Sequence, residues 1–91
     1  MYLIFDTETT GFPKDFNAPL SRFDNWPRMV QIAWQLHHYD GHLVESGAFV
    51  IKPDGFTIPF KAEEVHGIST AMAEKYGEGI GPVLDRFAQV L

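Results

Sequence analysis

The sequence contains no cysteine, which excludes a disulfide framework and any cysteine-ligated zinc site. It has no apolar run approaching the roughly 18 residues of a membrane-spanning helix. Positive charge is also scarce. Seven lysines and arginines face twelve aspartates and glutamates, for a net charge of −5. The basic residues Lys14, Arg22, Arg28, Lys52, Lys61, Lys75 and Arg86 are scattered along the chain. This counts against a protein that grips nucleic acid through a broad basic surface. A nucleic-acid enzyme stays open, because an acidic metal site would contribute to that total. Repeats and low-complexity tracts are absent, and no basic stretch followed by an apolar core opens the chain. The expectation is a cytoplasmic protein with no membrane partner. What is present suits one globular domain: 91 residues, 45% of them hydrophobic, too apolar for a disordered chain.

The elements follow from the pattern. Residues 2–6, "YLIFD", show no polar alternation and read as a strand buried on both faces, in a central position. Residues 12–27 are rich in Pro, Asn and Asp and have no period, which predicts a long loop of the kind usually tied to function. Residues 28–39 place Val30, Ile32, Trp34 and Leu36 on one face and Gln31, Gln35 and His37 on the other. That alternation is a half-buried strand. Asp40-Gly41 signals a hairpin turn into a third, antiparallel strand over about residues 42–52. Helical signals come next. Pro59 stands near a first turn, Gly67 suits the residue just past a helix, and Ser69 is a good N-cap for a short helix ending before Gly77. Ile80, Val83, Leu84, Phe87, Val90 and Leu91 then recur at helical spacing. Three strands followed by helices predict an α/β or α+β sheet domain. A strand buried on both faces needs neighbours on both edges, and the second strand supplies only one. A further strand beyond the 91 residues is therefore expected.

The first strand runs into two acids, Asp6 and Glu8, within "FDTETTG". Separated by one residue, they share a face about 6.8 Å apart along the chain. At an effective dielectric near 20 they repel by about 2–3 kcal/mol, and a divalent cation between them reverses the sign of that interaction. Hard oxygen ligands suit Mg²⁺ or Mn²⁺. Pairs of such ions about 3.5–4 Å apart support phosphodiester cleavage. Thr7 faces away from the acids, and Thr9 is expected back on their side if the strand continues. Gly11 permits close backbone approach. A plainer reading is that the acids cap the exposed end of a strand.

The whole string, with a buried strand before it and Thr-Thr-Gly after it, resembles the first motif of the DEDD superfamily of 3′–5′ exonucleases. This is the proofreading-exonuclease and oligoribonuclease group on a ribonuclease H-like fold. "PRMVQIAWQL" followed by "DG" is similar to that family's second strand and hairpin, and "VHGIS" to its turn after the first helix, in the histidine-type branch. "GIGPVLDRFAQVL" is similar to the helix before its fourth strand. The resemblance implies a ribonuclease H-like mixed sheet with flanking helices, incomplete here, so that residues 1–91 are the N-terminal part of one exonuclease domain. It implies Asp6 and Glu8 as catalytic metal ligands for two Mg²⁺ or Mn²⁺ ions. Thr7, Thr9, Thr10, Gly11, Phe12 and His66 are implied as substrate-binding residues. The substrate implied is a single-stranded DNA or RNA 3′ end, hydrolysed to nucleoside monophosphates, with a polymerase as a potential partner.

The same resemblance exposes a deficit. The family uses four carboxylates and a general base, and only Asp6 and Glu8 map onto this sequence. Asp85 reads as solvated helix surface, and His66 is not the family's general base. His37, His38 and His42 sit around the hairpin and read as surface, while Trp26 and Trp34 read as core. Phe12 is either a stacking surface for a terminal base or a loop anchor. Two alternatives stand beside the exonuclease reading. One is a phosphatase of the haloacid-dehalogenase type, which also ends its first strand on acids two residues apart but uses two aspartates. The other is a non-catalytic fragment that binds partners or nucleic acid. The 91-residue chain is expected to be inactive alone and to self-associate through an open sheet edge.

Overall fold

The computed structural model describes every residue from Met1 to Leu91. Strands β1 (Tyr2–Thr9), β2 (Met29–His37) and β3 (Leu43–Val50) precede helices α1 (Phe60–His66), α2 (Thr70–Tyr76) and α3 (Ile80–Ala88). The sheet order is β1-β2-β3, with both pairs antiparallel. One isolated parallel bridge, Ile51 to Glu78, ties the segment after β3 to the chain between α2 and α3. This is an α/β arrangement of three strands and three helices.

The β2 alternation decides which face is covered. Val30, Ile32 and Trp34 are all buried, and the helices pack over them in two groups. Val30 meets Ile58, Ala62 of α1, Ile68 and Ala73 of α2. Ile32 and Trp34 meet Ile51 and Val83 of α3, with Leu3, Phe49 and Phe87 at the margin. Trp34 is the largest member, its ring 5.6 Å from that of Phe49 and 5.4 Å from that of Phe87. It lies flat across Gly47 of β3, where any Cβ would overlap the indole ring. Glycine is required there by close approach rather than by backbone angle.

The opposite face of the sheet is bare. Register pairs Ile4 with Gln35 and Asp6 with Ala33, then Ala33 with Ala48 and Gln35 with Ser46. These residues line an open trough with no helix over it. Here the structure corrects the expected burial of the first strand. β1 is an edge strand, and Tyr2, Ile4 and Phe5 are 55%, 63% and 56% exposed. Burial on both faces requires a second neighbour and a second layer, and residues 1–91 supply neither to β1. Phe5 keeps one contact, its ring 5.2 Å from that of Phe87.

Local signals elsewhere act as expected. The turn at Asp40-Gly41 closes with His38 N–H donating to the His42 carbonyl and Gly41 N–H to that of His38. Ser69 Oγ accepts from Met72 N–H at 3.0 Å and starts α2. Gly67 takes the left-handed conformation and its N–H donates to the Glu63 carbonyl, ending α1. In α3 the expected apolar face is only partly used: Val83 is buried, whereas Leu84 is 40% exposed, and Leu91, beyond the helix end at Ala88, is 80% exposed. No helix is long and apolar enough to cross a membrane.

Candidate functional site

β1 continues past residue 6, so Asp6, Thr7, Glu8 and Thr9 are all strand residues. Its register on β2, Asp6 opposite Ala33 and Glu8 opposite Gln31, puts both acids on the uncovered face. Asp6 is exposed beside the trough. Its Oδ1 accepts from Thr7 N–H at 2.9 Å, which fixes one carboxylate oxygen and leaves the other free. Glu8 is half-buried.

Between the end of β1 and α1 lies a cavity of about 180 Å³, which Glu8 lines and Asp6 does not. Thr7, Glu8, Thr9, Gly11 and Phe12 form one wall, and Ala62, Val65 and His66 of α1 form the other. Residues far apart in sequence, and singled out separately there, thus meet in one place. His66 Nδ1 accepts from Ile68 N–H at 3.1 Å, which leaves the ring proton on Nε2 when the imidazole is neutral. Nε2 is buried and has no partner. A buried donor without an acceptor is costly.

Three placements differ from simple expectation. Thr9, expected on the acids' side, sits at an odd position of a strand whose acids are at even ones, and its hydroxyl turns onto the backbone of Gly11. Thr10 does not line the cavity. It closes the base of the loop, its N–H donating to the Arg28 carbonyl and its Oγ1 accepting from Arg28 N–H. Val65 was not singled out from the sequence, yet it stands at the cavity mouth and is 83% exposed. A large apolar side chain on the exposed side of a short helix was the available signal.

No group of three or more His, Asp or Glu side chains that could hold a metal ion occurs in the chain. Asp85 is exposed on α3 and joins no such group. Asp6 and Glu8 nevertheless match the donor chemistry of a hard divalent cation, with carboxylate oxygens on one face and open space before them. They fit as part of a ligand set.

No protein-family profile matches the chain, and no curated protein matches it in sequence. Solved structures do share its fold. E. coli Exonuclease I in complex with a dT13 oligonucleotide superposes with a TM-score of 0.73 at 22% identity, covering 96% of this chain. An ExoI/SSB-Ct complex gives a TM-score of 0.72 at 22% identity over 96% of the chain. A metal-free form of an E. coli ExoI–ssDNA complex gives the same values. In each case the chain spans 17% of the neighbour's length. Residues 1–91 therefore have the fold of one part of an exonuclease.

Proposed function

We propose that this chain is the acidic-strand part of a divalent-metal-dependent 3′–5′ exonuclease domain with a ribonuclease H-like fold. It would act on single-stranded DNA or RNA 3′ ends and release nucleoside monophosphates. The observation that carries this reading is the placement of Asp6 and Glu8 together on the open sheet face, with Glu8 also lining a cavity that His66 lines from α1.

Asp6 and Glu8 would hold Mg²⁺ or Mn²⁺, two ions in the intact domain. Such ions activate water and stabilise the leaving oxygen in phosphodiester hydrolysis. Thr7, Thr9, Gly11 and His66 shape the cavity wall and would bind the terminal nucleotide. Phe12, 88% exposed at the cavity edge, offers a face to its base, and stacking of this kind tolerates any sequence. Two carboxylates are half of what two ions need, so further ligands and the general base come from outside residues 1–91. The chain alone is then inactive.

The likeness to Exonuclease I bound to oligonucleotide supports a single-stranded substrate, and a polymerase is a partner in keeping with proofreading. The phosphatase alternative is disfavoured by the glutamate at position 8 and by the antiparallel pairing of β1 with β2. The test uses the intact protein, a 3′-labelled single strand and Mn²⁺. Labelled mononucleotide should be released, and a chelator or Asp6→Ala should stop it. Phosphate release from a small monoester with no nucleotide release would overturn the reading.

A further inference from the structure

The loop between β1 and β2 carries large apolar side chains that the fold does not use. Phe12, Phe16, Leu20 and Phe23 are 88%, 70%, 79% and 83% exposed. Exposed rings on a floppy segment would mean little, but this loop is held in shape. Asn25, 4% exposed, bridges it from within: its Oδ1 accepts from Asp15 N–H at 2.7 Å and its Nδ2 donates to the Asp15 carbonyl at 2.9 Å. Trp26 Nε1 donates to the Pro19 carbonyl, and Thr10 pairs with Arg28 at the base. A buried polar clamp therefore holds several aromatic rings out in water. The core gains nothing from that arrangement.

We infer that this loop is a guide for single-stranded nucleic acid, carrying the strand toward the acid pair; the direction of travel rests on the function proposed above. Three observations select this occupant. Each ring has a cation near it, Lys14 between Phe12 and Phe16 and Arg22 beside Phe23, but Asp15 and Asp24 balance that charge, so stacking on the rings rather than net charge would hold the strand. Lys14 makes no ion pair, and the contact of Arg22 with Asp24 is an exposed one at 3.7 Å, weak enough to exchange for a phosphate. The surface is also continuous with the site, because Phe12 lines the cavity that holds Glu8 and His66. Lastly, the rings of Phe12 and Phe16 are 6.5 Å apart, about two stacking rises of 3.4 Å. One base fits between them once these exposed rings turn out of their mutual tilt of 42°.

The experiment measures binding rather than cleavage, so that it stands apart from the exonuclease reading. Anisotropy of a labelled oligothymidine of about ten nucleotides is titrated with the intact protein in chelator. Phe16→Ala combined with Phe23→Ala should weaken binding about tenfold, the loss of roughly one stacked base. Phe16→Tyr should retain affinity and Phe16→Leu should not, because stacking needs a ring and apolar docking does not. Unchanged binding in the double variant, with its circular dichroism unaltered, would overturn the inference. So would equal affinity for Phe16→Leu and Phe16→Tyr, the outcome expected if the rings form a docking patch for a protein.

Discussion

Asp6 and Glu8 are forced together by strand geometry, and their mutual repulsion is tolerable only because they sit on a face that water reaches. Two consequences can be measured. Without metal, Asp6→Asn should raise the thermal midpoint by removing that repulsion, and the protection given by Mn²⁺ should vanish in the same variant. The 91-residue chain itself should bind Mn²⁺ only on the order of millimolar, because water must fill most of the coordination sphere. Micromolar affinity in a titration would reveal further ligands. Gly47 makes a different demand. Its missing side chain is the seat of Trp34, so Gly47→Val should displace the indole and cost about 1–3 kcal/mol of stability by overpacking, read from chemical denaturation. The exposed Gly41, whose added Cβ would meet nothing, supplies the contrast: change there is limited to backbone strain in the turn.

The elements differ in how they are held. Helices α1 and α2 are seven residues each, too short to persist alone, so their ends and their single buried alanines matter. Ser69→Ala removes the hydrogen bond to Met72 N–H and should cost about 1 kcal/mol, visible as a lowered midpoint without loss of fold. Pro59 begins α1 with no side-chain cap, which makes that helix more dependent on Ala62 and on the Gly67 terminus. α1 is also the element that closes the candidate cavity, through Val65 and His66. Loosening it should therefore weaken substrate binding before it unfolds the sheet.

For the molecule as a whole, the dominant feature is asymmetry. One face of a three-stranded sheet is covered by helices and the other is bare, and β1 offers an unpaired backbone edge. Along that edge Tyr2, Ile4 and Phe5 are exposed on both faces, with no charge or proline before Asp6 to blunt it. Open apolar edges recruit other strands. The isolated chain should therefore sediment above its monomer mass of 10.3 kDa at concentrations on the order of tens of micromolar. Ile4→Lys should return it toward monomer. A stable monomer of the unaltered chain would mean that residues 1–91 satisfy their own edge.

Short-range chemistry was legible in the sequence. The alternation in β2, the Asp40-Gly41 turn, the Ser69 cap and the glycine after α1 each depend on residues within a few positions, so local pattern was enough. The pairing of Asp6 with Glu8 was legible for the same reason, since two residues along a strand always share a face. Burial of β1 was misread, because an apolar strand records what can cover it and only the sheet order decides what does. The cavity was decided by tertiary structure alone. Glu8 and His66 meet there because α1 returns to the end of β1, and the orphaned Nε2 of His66 exists only because Ile68 N–H occupies the other ring nitrogen. The same holds for the loop: its composition announced a loop, while the buried clamp of Asn25 on Asp15, a contact across ten residues, determined that its aromatic rings stand in water.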